Sequence, residues 1–293
     1  MLSTEQAPIL AICYDFDHTL SPDDMQAAGY IQSVGFAVED FWRESRKLAE
    51  QNEMDRNLAY MYLMAKTARG KVLFTRERLA EYGAQVPLYP GVREWFANVN
   101  ALGDAAGVQV EHYIISSGLK EMIAGTAIAN EFKAIYASSF FYDGDGVAVW
   151  PAQAVNYTNK TQFLFRIKKG VLDVNDERIN EYFPNEEMRV PFRNIVYIGD
   201  SATDIPCMKL VASSGGHAIG VYAPGESTAM VDGLLRDGRI QYKAPADYRQ
   251  GAPLEQLIGA IIAQTATREK LERRKAADLH DAKSRLANAK QGQ

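Results

Sequence analysis

The chain has 293 residues, 47% of them hydrophobic and 24% charged, with a net charge of −5. This length and usage fit a globular enzyme of about two domains, and the acidic balance excludes a general nucleic-acid binder, which is normally basic. No apolar stretch is long enough for a membrane span, and no basic region precedes the short apolar run near the N-terminus, so neither an anchor nor a signal peptide is expected.

After a lead-in over residues 1–8, the apolar run 9–14 is too short to cross a membrane and reads as a strand buried on both faces. It ends on Asp15-Phe16-Asp17-His18-Thr19-Leu20. In extended chain, alternate residues share a side, so Asp15, Asp17 and Thr19 are expected in one row, with Phe16 and His18 facing away. Two carboxylates about 4 Å apart repel by about 4 kcal/mol at an effective dielectric near 20, so the pair calls for a cation or a shared proton. Ser21-Pro22-Asp23-Asp24 has the composition of a helix start. Helical periodicity follows over 39–51 and 53–68, with Gly70 as a stop, and another helix begins at Thr75.

Leu88-Tyr89-Pro90-Gly91 ends this helical stretch, and helices and apolar strands then alternate. A helix is expected over 92–101 and strands over 110–115 and 134–138, followed by a hairpin around Asp143-Gly144-Asp145-Gly146. That turn lacks the glutamate of a calcium loop, since Ala154 stands there. A helix opens at Thr158-Asn159-Lys160-Thr161, residues 170–193 form a polar excursion, and a strand from Asn194 ends in Gly199-Asp200 ahead of a helix over 205–210. Later strands fall at 220–222 and 240–242. The pattern is that of an α/β fold with a doubly wound, Rossmann-like parallel sheet, whose ligand crevice lies at the carboxyl ends of the strands. From Ala266 the chain is a charged helical tail with sparse Leu271, Leu279 and Leu286, read as a solvated helix, with self-association as the alternative.

Three further groups stand at strand or helix ends. Ser116-Ser117-Gly118 can offer a hydroxyl and backbone N–H groups to a phosphate oxygen. Lys160 lies near a helix start, where a cation is misplaced unless an anion faces it. Asp200 and Asp204 bracket Gly199-Asp200-Ser201-Ala202-Thr203-Asp204. Cys13 and Cys207, and the scattered His112, His217 and His280, have no metal-type spacing; the thiols are expected buried and reduced in a cytoplasmic protein.

In this order, the Asp15 to Leu20 string, Ser116, Lys160 and the Gly199 to Asp204 string resemble the four motifs of the haloacid dehalogenase superfamily of phosphohydrolases. The helical insert, hairpin and Lys160 are similar to the phosphoserine-phosphatase branch, although the excursion before Asn194 is longer than that branch expects. The resemblance implies a core over 1–20 and 88–265, a helical cap over 21–87 and a tail over 266–293. It implies a magnesium-dependent phosphatase acting on a small phosphorylated metabolite, with no nucleic-acid or membrane partner. Asp15 would be the nucleophile and Asp17 the general acid and base. Ser116 and Lys160 would hold the phosphate, with Ser117 and Gly118 as lesser candidates and Thr19 ordering the loop. Magnesium would be held by Asp15, Asp17 through its backbone carbonyl, and Asp200, with Asp204 beside it. A phosphotransferase or phosphomutase would share these motifs, a dehalogenase would lack Asp17, and a non-catalytic binding protein would have lost a motif acid. Arg43, Arg46, Lys47, Tyr60 and Tyr62 could meet the leaving group from the cap, or be ordinary helix surface and core.

Overall fold

The structure, a computed structural model, describes residues 7–184 and 187–291. Its strands are β1 (Ile9–Tyr14), β2 (Gln109–Leu119), β3 (Ala134–Tyr142), β4 (Ala148–Gln153), β5 (Ile195–Gly199), β6 (His217–Tyr222) and β7 (Tyr242–Pro245). They form one seven-stranded sheet in the order β4-β3-β2-β1-β5-β6-β7. All neighbours run parallel except the β3–β4 hairpin. In the hairpin turn the Asp143 carboxylate accepts from the backbone N–H groups of Asp145 and Val147, so it serves the turn itself. The chain runs from β1 to β2 and β3 on one side, then crosses to β5 on the other. The switch point therefore lies beside the carboxyl end of β1, where such folds open a crevice.

Why residues 9–14 are apolar throughout is plain from the layers. Leu10, Ile12 and Tyr14 face one core with Trp95 and Phe96 of α5 (Val92–Ala106) and Leu254 and Ile258 of a long terminal helix. Ala11 and Cys13 face the other, with Phe163, Leu164 and Ile167 and with Cys207 and Met208. Each large side chain so buried contributes roughly 1.5–3 kcal/mol.

Between Leu20 and Val92 the chain forms a 3-10 turn at Met25–Ala27 and helices α1 (Tyr30–Ser33), α2 (Val38–Gln51), α3 (Arg56–Ala68) and α4 (Arg76–Gly83). Asp55 caps α3 by accepting from the N–H groups of Asn57 and Leu58, and Thr75 caps α4 by accepting from Arg78. No helix begins at Ser21. Its hydroxyl donates to the Asp23 carbonyl, while the Met25 N–H goes to the Asp17 carboxylate, so the local polar groups are satisfied in a loop. The insert rests on the hairpin: Phe74 meets Phe140 edge to face at 5.0 Å, and the Ala148 N–H donates to the Phe74 carbonyl.

The remaining helices are α6 (Lys120–Gly125), α7 (Thr161–Lys169), α8 (Ile205–Ser213), α9 (Ala229–Arg236) and α10 (Pro253–Gln291). The excursion over 170–193 contains 3-10 turns at Glu177–Asn180 and Phe192–Asn194. It is hung from the end of α7, where Arg166 donates to the Asp173 and Val174 carbonyls and Lys169 to those of Ile179 and Glu181. The expected start of the tail at 266 falls inside α10: Leu254, Ile258, Ile261, Ile262 and Thr265 are buried, and beyond Ala266 the helix leaves the core. No helix among the described residues is long and apolar enough to cross a membrane.

Candidate active site

The Asp15 N–H donates to the Ile198 carbonyl at 2.9 Å, carrying the β1–β5 pairing one step past Tyr14 and setting Asp15 beside Gly199 and Asp200. One Asp15 oxygen accepts from the Phe16 N–H at 2.7 Å and the other from Lys160 Nζ at 3.0 Å. Lys160 is wholly buried at the end of a 3-10 turn, Tyr157–Lys160, that runs straight into α7. Its ammonium also donates to Asp204 Oδ1 at 2.8 Å and Thr203 Oγ1 at 3.3 Å. Facing carboxylates thus explain a cation at a helix start.

Asp204 is held from four directions. Oδ1 accepts from Lys160 and from the Tyr197 hydroxyl at 2.7 Å, and Oδ2 accepts from the Ser201 N–H and hydroxyl at 3.2 and 3.0 Å. This packing needs glycine at 199, where a Cβ would come within 2.6 Å of Asp204 Oδ2. Asp200 Oδ1 accepts from Thr19 Oγ1 at 3.1 Å, and the Thr19 carbonyl accepts from the buried Tyr248 hydroxyl. Asp15, Asp200 and Asp204 each bring an oxygen within 4.8 Å of the others.

Asp17 stands outside that trio. The extended row expected from Asp15 to Thr19 does not form: the N–H groups of Thr19, Leu20 and Ser21 all turn back to the Phe16 carbonyl, and His18 adopts φ +56°. Asp17 Oδ1 accepts from the Met25 N–H at 2.9 Å, and Oδ2 lies against Gly118, where a Cβ would be 3.0 Å from it and 2.2 Å from Met25 Cε. His18 faces Asp24 at 3.5 Å on the rim.

On β2, the buried Ser116 hydroxyl oxygen accepts from the Gly118 N–H at 3.0 Å. The Ser117 carbonyl is gripped by Asn57 Nδ2, the Tyr60 hydroxyl and Ser138 Oγ at 3.3, 2.8 and 3.2 Å, whereas Ser117 Oγ has no hydrogen-bond partner among the described residues.

The sequence profile of haloacid dehalogenase-like hydrolases matches residues 12–209, which span all four motifs. The chain belongs to the haloacid dehalogenase-like hydrolase family. A relative from Borreliella burgdorferi, an uncharacterized protein, is 26% identical over 280 residues, covering 85% of this chain and 95% of that one. Among solved structures, the fold is similar to that of a HAD family hydrolase from Salmonella enterica serovar Typhi, with a TM-score of 0.56, 17% identity and coverage of 87% of this chain and 72% of that one. It is also similar to that of a probable phosphoserine phosphatase from Vibrio cholerae, with a TM-score of 0.56, 15% identity and coverage of 90% and 69%.

Electrostatics set the acids of this HAD-family site apart. Burial, then the Asp204 charge, pushes the Asp15 carboxyl up to about 6 against the pull of Lys160. Burial and the charges of Asp204 and Asp15 push Asp200 up to about 8. Burial, then Asp24 and Asp15, raises Asp17 well above the usual carboxylate range. For Asp204, burial is outweighed by Lys160, Tyr197 and Ser201, which hold it below that range. For Lys160, burial works against its charge, but Asp15 and Asp204 outweigh it and keep the ammonium protonated. The donor set fits a hard divalent cation: it is all oxygen, and Asp15 and Asp200 carry ionisation costs that such a cation would relieve.

His18 is raised to about 9, chiefly by its hydrogen bond to Asp24, so it is a rim cation and no neutral base. Buried His112 is a packing residue: the Tyr14 hydroxyl donates to Nδ1, Nε2 donates to Asn100 Oδ1, and burial pushes it down to about 3. Arg43, Arg46 and Lys47 are exposed on α2, Arg43 pairing with Asp40, and Tyr62 is exposed on α3. Tyr60 is buried with its hydroxyl on the Ser117 carbonyl, which replaces the expected ring-stacking option with a backbone clamp. Tyr197, Thr203, Met25 and Asn57 were not legible as site residues. Only Tyr197, one alternation before Gly199 on its strand, had a spacing that could have signalled it.

Proposed function

We propose that this protein is a magnesium-dependent phosphatase of small cytoplasmic phosphomonoesters. The observation that carries the reading is Lys160, buried between Asp15 and Asp204 at the mouth of the β1–β5 switch point, beside a cluster of three carboxylates. In the roles the family motifs supply, an Asp15 oxygen attacks phosphorus and forms an aspartyl phosphate, while the bond to the leaving alkoxide breaks. Asp17, whose carboxyl is raised by burial and by the charges of Asp24 and Asp15, donates a proton to that alkoxide. The resulting carboxylate then takes a proton from the water that attacks the same phosphorus, releasing phosphate and restoring Asp15.

Ser116 accepts from Gly118 and so keeps its own hydroxyl proton to donate to a phosphate oxygen, and Lys160 offsets negative charge beside Asp15. Asp15, Asp200 and the Asp17 backbone carbonyl would hold Mg2+, while Asp204, whose two oxygens already accept four hydrogen bonds, fixes Lys160. When bound, the metal neutralises charge on the phosphoryl oxygens. Residues 21–87 serve as the cap over this crevice.

The test is a phosphomonoester panel assayed with Mg2+, with chelator, and with Asp15→Asn. Phosphate release is expected only in wild type with Mg2+. Release that persists in Asp15→Asn removes the nucleophile, and release unaffected by chelator removes the metal.

A further inference from the structure

Beyond Ala266, α10 continues as helix to Gln291 with its side chains exposed except for the half-buried Glu269 and Glu272, as far as these are described. In proteins most helix stability comes from packing an amphipathic face, and this extension is not polar all round. Leu271, Leu279 and Leu286 are 67%, 54% and 66% exposed. At 3.6 residues per turn these three fall, with Lys275 and Ala282, in one arc about 80° wide. Charged residues border it: Glu272 and Lys283 on one flank, Arg274, Asp278, Asp281 and Arg285 on the other. An apolar stripe between charged flanks is the seam of a helix pair.

We propose that two copies of this chain associate through antiparallel pairing of their α10 extensions, about a two-fold axis near residue 278. The stripe is close to palindromic about that point. Leu279 meets the partner's Leu279, Leu271 meets the partner's Leu286, and Lys275 lies over the small side chain of the partner's Ala282. The flanks keep the same register: Glu272 faces the partner's Lys283 and Arg274 faces the partner's Asp281, each contact occurring twice by symmetry. All these pairs are centred within one residue of position 278. A parallel, in-register pair would instead set Lys275 against the partner's Lys275 inside the seam.

In this register the two points where α10 leaves its core are roughly 38 Å apart along the helix. The proposed contact is made by the helices. With three leucines per copy the interface is small and weak, so monomer is expected at roughly 1 μM and dimer at roughly 200 μM.

Sedimentation of the full chain across that range tests the proposal. Leu279→Lys places two ammonium groups at the axis without removing a helix former, and is expected to stay monomeric at every concentration with unchanged circular dichroism. Glu272→Lys is expected to weaken the dimer, and adding Lys283→Glu in the same chain to restore it. Orientation is read by oxidative cross-linking, since Cys13 and Cys207 are buried. Leu271→Cys mixed with Leu286→Cys is expected to cross-link, and neither alone. The proposal is overturned by a wild type that is monomeric at the highest concentration, by a dimer indifferent to Leu279→Lys, or by Leu271→Cys cross-linking with itself. A monomeric chain whose tail binds DNA or anionic vesicles also overturns it.

Discussion

Two ionic clusters lie toward opposite ends of the same sheet, and they are balanced differently. Near the start of β2, the carboxylate of Glu111 takes both guanidinium arms of Arg189, the ammonium of Lys133 and the hydroxyl of Tyr113. Burial would raise it, but these donors hold Glu111 at about 2. At the carboxyl end of β1 the ratio is reversed, with one buried ammonium serving a group of three carboxylates, two of which are pushed to about 6 and about 8. A cluster whose one carboxylate is fully paired fastens the 170–193 excursion to the sheet. A cluster left with surplus negative charge could hold a cation from outside.

The contrast breaks if the two clusters respond alike to loss of charge. The largest effect is expected from Lys160→Met, which leaves Asp15 and Asp204 buried without their cation. Phosphate release should fall by ~10³-fold or more, and urea unfolding of the metal-free protein should show a loss of about 3–5 kcal/mol. Near-normal turnover in this variant would mean that the phosphate is held elsewhere.

The same exchange of carboxylate for amide should then have opposite signs in the two places. Glu111→Gln is expected to cost about 3 kcal/mol with kcat unchanged, because two cations lose their shared partner. Asp200→Asn is expected to raise the Tm of the metal-free protein, by removing repulsion, and Mg2+ is expected to raise the Tm of wild type but not of this variant. If both variants lower Tm, the surplus has been misread.

The smallest effect is one of pH. The folded Glu111 titrates at about 2, below its ordinary 4.5, so its stabilising contribution is complete above that value and is lost as pH falls through the folded one. The stability gap between wild type and Glu111→Gln should therefore narrow below about pH 4.5, by at most about 1.4 kcal/mol per pH unit. A gap that widens on acidification would show that Glu111 is not held ionised.

What the sequence made legible was what short spacings encode. A carboxylate ends a continuous apolar strand at Asp15, a Gly-Asp pair ends another at 199–200, and a lysine sits at a helix start where only a facing anion could justify it. Register then did the rest, since Tyr14 pairs with Ile114 on one side and Ile198 on the other, which aligns the three strand ends. Interactions joining distant segments had no local signature. Glu111 and Arg189 are 78 residues apart, and Asn57 and Tyr60 reach the Ser117 carbonyl across 60 and 57. Alternation also failed where backbone left the strand. Beyond Tyr14 the Phe16 carbonyl gathers three N–H groups, and that turn, not a period of two, decides where Asp17 and His18 point.

The bond from the Met25 N–H ties the start of the helical insert to Asp17, the residue proposed above as the general acid. Met25 opens the helical insert, its sulfur accepts from the Leu119 N–H, and its methyl group lies over Gly118. Any swing of the insert that lifts Met25 from this seat strips Asp17 of a donor to its ionised form and admits water to its other oxygen. Exposure of Asp17 and the ease of its ionisation would therefore change together with the seating of Met25.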